Sequence, residues 1–163
     1  QEMGAKLKVF NQQKINDEVT ASIYAEYSNL KGISVPSERA PRMIDEYPIL
    51  SMAAACAKGK TIMNGISELR VKESDRIKIV SNGLNKVGIK TIEKHDSLEI
   101  FSGEIMGGCS IDSELDHRIA MSFLILGLVS NKPIKVLRSS TIKTSFPNFF
   151  EIMLNLGSKL AKG

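Results

Sequence analysis

The chain has 163 residues, 42% of them hydrophobic and 25% charged, an ordinary globular composition that allows one good core. Its net charge of +4 comes without a Lys/Arg-rich block or aromatic–basic interleaving, which argues against a nucleic-acid surface and suits a small anionic substrate. The longest apolar run, Ile119 to Val129, is far short of the ~20 residues that a membrane span needs.

Taken in chain order, Met3-Gly4-Ala5-Lys6 looks like a helix end with Gly at C′, followed by a strand pair, Lys8–Phe10 with Val19–Tyr27. Asp45 then precedes an apolar helix from about Tyr47 to Ala57. It sits at a loop-to-helix junction, where it reads equally as a displayed catalytic group or a plain N-cap carboxylate. Cys56 lies in a run of alanines and reads as a buried thiol. It and Cys109 lack metal-ligand spacing and are too few for a disulfide framework, so the default is a reducing cytoplasm. A strand follows at Thr61 to Met63.

The next stretch, Glu68-Leu69-Arg70-Val71-Lys72-Glu73-Ser74-Asp75-Arg76-Ile77, is the most informative. Dense charge runs directly into apolar residues at Ile77, Val80, Leu84 and Val87, the spacing of a helix with Arg76 in its first turn and Ser74 as N-cap. A cation there opposes the helix dipole by roughly 0.3–1 kcal/mol, so an anion would repair the mismatch. That helix ends at Gly88, and strands follow at Lys90–Glu93 and Leu98–Phe101.

The same charge pattern recurs. Asp116 reads as N-cap of a helix from His117 to about Val129, which puts His117 and Arg118 in the first turn. After a strand at Ile134–Leu137, another helix starts near Pro147 with Lys143 just upstream, and it ends at Gly157. Three helix starts, each with a cation, suggest one pooled anion site.

Shifted by about 71 residues, the chain aligns with itself. Ile44-Asp45 meets Leu115-Asp116, Val71-Lys72 meets Ile142-Lys143, and Ser74 meets Ser145. The glycine-marked helix ends add a second period. The fold expected is α/β (α+β): repeated βαβ-type units with helices packed on small mixed sheets. Residues 1–163 begin inside the first of three such units, and Gln1 in place of Met suggests a fragment.

Two carboxylates, two lysines, two arginines and a histidine, without a nucleophile motif, metal cluster or Gly-rich phosphate loop, fit proton transfer at a substrate held by its anionic groups. At these residues the sequence resembles a known family. The Glu68-to-Arg76 run, Asp116-His117-Arg118-Ile119-Ala120-Met121 and Lys143-Thr144-Ser145-Phe146-Pro147-Asn148-Phe149-Phe150-Glu151 look like hallmark segments of the 5-enolpyruvylshikimate-3-phosphate synthases, in that family's order. Ile44-Asp45-Glu46-Tyr47-Pro48 fits the family's aspartate segment.

The resemblance implies an enolpyruvyl transferase-like domain, specifically most of the C-terminal domain of a two-domain protein, with the N-terminal domain as its partner across the active-site cleft. It implies transfer of the enolpyruvyl group of phosphoenolpyruvate to the 5-hydroxyl of shikimate 3-phosphate, with release of phosphate, without metal or organic cofactor. By the same resemblance Asp45 accepts the hydroxyl proton and Glu73 exchanges protons with the methylene carbon. Asp45 and Lys72 hold shikimate 3-phosphate, while Arg76, Arg118 and Lys143 bind phosphoenolpyruvate. His117 lies in the site wall. Many members carry Asn where this chain has Glu68, so Glu68 is not placed in the site. The implied location is cytoplasmic. Two other readings are the sister transferase that acts on UDP-N-acetylglucosamine, whose pattern has Leu in place of His117 and lacks Lys72–Arg76, and a non-catalytic anion-binding module. A half-site alone cannot enclose substrate, so the chain by itself is expected to be inactive.

Overall fold

The computed structural model describes residues 1–161. The chain opens with a long antiparallel hairpin of β1 (Lys6–Ile15) and β2 (Glu18–Glu26). Asn16 and Asp17, at φ 49° and 66°, make its two-residue turn, a conformation these side chains tolerate well. The strands are longer than the sequence pattern suggests. Cross-strand partners put Leu7, Val9, Val19, Ile23 and Ala25 on one face, yet Val9 is 53% and Ile23 67% exposed.

β3 (Ser34–Val35), α1 (Ala40–Met43), α2 (Tyr47–Cys56) and β4 (Lys60–Asn64) follow, with β3 and β4 parallel across the helical crossover. After a 3₁₀ turn at Ser67–Val71 come α3 (Arg76–Lys86), β5 (Thr91–Glu93) and β6 (Ser97–Phe101). The resulting four-stranded mixed sheet has the order β3-β4-β6-β5. The arrangement then starts again. β7 (Ser110–Asp112), α4 (His117–Leu126) and β8 (Lys135–Leu137) form a second parallel βαβ unit, followed by a 3₁₀ turn, α5 (Ile142–Ser145) and α6 (Phe149–Asn155). An isolated parallel bridge precedes each unit, Lys31 with Lys58 and Gly107 with Lys132. The α/β architecture expected from the repeat is thus the observed one, and Gly4, Gly88 and Gly157 all have φ near +90°.

α2, α3 and α4 share the core. Tyr47, Met52, Ala54 and Ala55 meet Ile77, Val80 and Leu84 from α3 and Ile119, Phe123 and Leu126 from α4. The approach of α3 to α4 is set by Gly83. A Cβ there would stand 2.2 Å from Phe123 Cζ, so only glycine lets the ring lie against the helix.

Local expectations are corrected in four places. The helix from His117 stops at Leu126, with Gly127 at the C-cap, rather than reaching Val129; Val129 is 61% exposed in the turn beyond. The last helix starts at Phe149, after Asn148, because Pro147 still belongs to the turn, and Lys143 lies in its own short helix. Cys56 is exposed, since it ends α2 where the chain swings to extended Ala57. Ser74 is not the cap of α3. Asp75 is, accepting from Lys78 N at 3.0 Å.

Candidate active site

The chain reaches α3 through a clamp. Arg70 donates through Nε to His95 O (2.8 Å), through Nη2 to Lys94 O (2.6 Å), and through Nη1 to Asp75 (3.0 Å) and Glu93 (3.1 Å). Each of its three guanidinium nitrogens is engaged within the fold. It ties the turn before α3 to the β5–β6 turn, and so fixes the short segment that carries Lys72, Glu73 and Ser74.

Arg76, first residue of α3, is the centre of the arrangement. Its side chain is only 1% exposed. Nε donates to Asp116 Oδ2 at 2.8 Å, Nη1 to Asp45 Oδ1 at 2.9 Å, and Nη2 to Glu73 Oε2 at 2.5 Å. Burial alone would favour a neutral arginine. The Asp116 carboxylate outweighs it, together with Glu73 and Asp45, and holds the guanidinium above its ordinary pKa. Asp116 is fully buried, and burial would raise its pKa. The Arg76 hydrogen bond and charge, with the Ile119 N–H and the Ser74 hydroxyl, overcome this and hold the carboxyl below the usual range. Its Oδ1 accepts from the backbone N–H of Arg118 (2.9 Å) and Ile119 (3.3 Å), so Asp116 caps α4 as the sequence suggests. Its bond to Arg76 is a second role that local spacing does not reveal.

Asp45 approaches from the third side, on a 3₁₀ turn (Ile44–Glu46) leading into α2. It is not a helix cap: Glu46 occupies that position, without a side-chain capping bond. The Asp45 carboxylate instead stands 2.9 Å from Arg76, 3.8 Å from Arg118 Nη2 and 3.9 Å from Lys72 Nζ. Arg118 Nη1 donates to the Asp45 carbonyl (3.0 Å) and to Glu46 Oε1 (3.1 Å). Lys72 pairs with Glu68 at 2.5 Å, which, with Asp45, raises the pKa of its ammonium.

The fold therefore brings Asp45, Lys72, Glu73, Arg76 and Arg118 into one connected network at the starts of α2, α3 and α4. His117 lies half-buried beside it and Lys143 is exposed on α5, which packs against α4. Neither shares a hydrogen bond or ion pair with the network among the described residues. The start of α2, rather than that of the last helix, is the third to join. Sequence reasoning gave Ser74 only a capping role, whereas it donates to Asp116 Oδ2 at 3.0 Å; it set Glu68 aside, which is the counter-ion of Lys72, and missed Glu46, the counter-ion of Arg118.

The charge balance also differs from the expected anion-hungry cluster. Arg76, Arg118 and Lys72 already face carboxylates of the same chain. Asp116 is buried, but Glu46, Glu68 and Glu73 have side chains 59%, 56% and 51% exposed and Asp45 45%. Ion pairs made by exposed carboxylates are worth about 0–1 kcal/mol, so an incoming multivalent anion can displace Glu46 from Arg118 at little cost.

A sequence profile described as EPSP synthase (3-phosphoshikimate 1-carboxyvinyltransferase) matches residues 1–153. A 3-phosphoshikimate 1-carboxyvinyltransferase of Cereibacter sphaeroides is 49% identical over 99% of this chain and 37% of its own length. One from a Chelativorans species is 47% identical over 98% and 36%. The chain thus spans little more than a third of the relatives it matches. Among solved structures, an EPSP synthase of Acinetobacter baumannii superposes with a TM-score of 0.91 at 42% identity, covering 94% of this chain and 36% of that one. The enolpyruvyl transferase NikO of Streptomyces tendae, at 17% identity and a TM-score of 0.67, shares the fold.

Proposed function

The chain belongs to the EPSP synthase family, and we propose that within a longer, two-domain protein it forms one wall of the site that transfers an enolpyruvyl group from phosphoenolpyruvate to the 5-hydroxyl of shikimate 3-phosphate. One observation carries the reading. Asp45 and Glu73, both about half exposed, are bonded to the same buried guanidinium, so two solvent-accessible carboxylates are held close together, which supports a pair of proton-exchanging groups.

The roles follow from that placement. Asp45 takes the proton of the 5-hydroxyl as its oxygen attacks C2 of phosphoenolpyruvate, while Glu73 exchanges protons with the C3 methylene. Addition moves a proton from Glu73 to C3 and gives a tetrahedral intermediate; elimination returns a proton from C3 to Glu73 as the C2–O bond to phosphate breaks, and the proton held by Asp45 leaves with the phosphate as hydrogen phosphate, so atoms and charge balance. Arg76, Arg118 and Lys143 hold the carboxylate and phosphate of phosphoenolpyruvate, and Lys72 with Asp45 holds shikimate 3-phosphate. His117 stands in the site wall.

The rest of the protein, an N-terminal domain in this reading, closes the open half-cleft and excludes the water that would otherwise screen these charges. Remaining parts of the longer chain also cover the apolar face of the β1–β2 hairpin, which is too exposed to suit free solution. The substrates are small and water-soluble, which suits a cytoplasmic enzyme, and among the described residues no helix is long and apolar enough to cross a membrane.

The test is phosphate release and formation of the enolpyruvyl ether by the full-length protein given both substrates. The 163-residue chain alone should match the no-enzyme background. A full-length protein that uses UDP-N-acetylglucosamine in preference, or that releases no phosphate, would refute the reading.

A further inference from the structure

We propose that Asp116 is a positioning residue that locks the Arg76 guanidinium and the start of α4 into one rigid unit, so that Arg76 and Arg118 meet an anionic ligand at a fixed spacing. The proposal rests on the functional reading above for the identity of that ligand.

A single carboxylate bonds to both cations, though to different parts of them. Oδ2 accepts from the side chain of Arg76 (Nε, 2.8 Å), and Oδ1 accepts from the backbone of Arg118 (2.9 Å). The Ser74 hydroxyl (3.0 Å), the Ile119 N–H (3.3 Å) and a longer bond from Arg76 Nη2 to Oδ1 (3.4 Å) complete its hydrogen bonding and leave the group little freedom to turn. With the Nε edge of Arg76 held, Nη1 and Nη2 point towards Asp45 and Glu73 on the open side. If that hold were lost, the guanidinium could rotate about its stem, and its Nε–H would have no water to bond in a site this buried.

Capping does not require the charge. Asparagine caps a helix about as well as aspartate, so α4 alone would be served equally by an uncharged amide at this position. A buried guanidinium, by contrast, needs a buried negative partner. The structure thus separates two roles of one side chain, and Asp116→Asn removes one while keeping the other.

The experiment is Asp116→Asn in the full-length protein, with phosphoenolpyruvate titrated by calorimetry at saturating shikimate 3-phosphate. A lost charge-assisted bond corresponds to about 10- to 100-fold in affinity. Phosphoenolpyruvate binding should weaken by that factor, while binding of shikimate 3-phosphate alone stays within about threefold. Proton NMR should show a slowly exchanging arginine Nε–H in the wild type that exchanges fast in the variant. Wild-type affinity in Asp116→Asn, or equal losses for both ligands, overturns the proposal.

If that variant does not fold, Ser74→Ala removes one donor to the same carboxylate and leaves the ion pair. It should weaken phosphoenolpyruvate binding about two- to fivefold without a matching loss of melting temperature, and unchanged binding there overturns the proposal. A wild type that binds phosphoenolpyruvate without turning it over, with binding lost in Asp116→Asn, would refute the functional reading and leave this one standing. A wild type that binds none refutes both.

Discussion

Replacing Asp45 with Asn removes a charge and a proton acceptor but little else. Asn keeps an oxygen to accept from Arg76 Nη1, now 2.9 Å from Asp45, and the position is about half exposed, so stability should fall by no more than about 1 kcal/mol. The effect on ligand binding should run opposite to that of an ordinary damaged site. Asp45 stands 3.8 Å from Arg118 Nη2, a separation at which unit charges in water interact by about 1 kcal/mol. Neutralising it frees Arg118, so phosphoenolpyruvate should bind as well as before or up to about fivefold tighter. Turnover should behave differently: with Asp45 as the proposed acceptor of the hydroxyl proton, kcat should drop about 10²–10⁴-fold. In the full-length protein, phosphate-release kinetics, calorimetry with phosphoenolpyruvate in the presence of shikimate 3-phosphate, and a thermal melt give the three quantities separately. A kcat within about threefold of wild type, or phosphoenolpyruvate affinity reduced about tenfold, would refute the assignment of Asp45 as base.

Arg118→Ala should weaken phosphoenolpyruvate binding by about 10- to 150-fold in calorimetric titration, with much less effect on shikimate 3-phosphate alone. Glu73→Gln should slow solvent-deuterium incorporation into the methylene carbon at least as much as it slows turnover; unchanged exchange by mass spectrometry would move that role to another group. Gly83→Ala drives a methyl into the Phe123 ring and should cost about 1–3 kcal/mol, read as a fall of several degrees in melting temperature. Because the Asp116 pKa is lower in the folded state than unfolded, its contribution to stability is complete above the ordinary carboxylate value near 4 and fades as pH falls through the folded pKa. Acid unfolding followed by circular dichroism should therefore be steeper in the wild type than in Asp116→Asn.

What the sequence makes legible is local. Asp116 before an apolar run predicts a capped helix, Gly88 and Gly157 mark helix ends, and the dense charge before Ile77 marks a helix start, because all of these are encoded within four or five residues. The errors are local competitions with two adequate candidates. Ser74 and Asp75 are both good caps, and the role falls to Asp75 because Ser74 is already committed to Asp116, 42 residues away. Cys56 reads as buried from its alanine neighbours, but a residue ending a helix need not share the face of the one before it. The mismatch of Arg76 with its helix dipole is readable, whereas its answer is not. Asp45 and Asp116 lie 31 and 40 residues from it in sequence, and only the packing of α2, α3 and α4 brings them together.

That packing also determines what kind of site this is. Three helix starts aimed at one point concentrate partial positive charge, to which Arg76, Arg118 and Lys72 add, and a fold that left this unbalanced would be penalised. The chain supplies carboxylates of two physically different kinds. Asp116 is buried and saturated with hydrogen bonds, so a ligand that displaced it would have to replace both its bond to Arg76 and the cap of α4. Glu46 and Glu68 are largely exposed, held by pairs that water already weakens. In the proposed function, ligand binding at these cations is an exchange of one anion for another. Such an exchange has a consequence beyond affinity. Exposed pairs are screened by salt, so added salt weakens the resident carboxylates and the ligand together. The dependence of phosphoenolpyruvate binding on ionic strength should accordingly be shallower than that of a site whose cations stand unpaired.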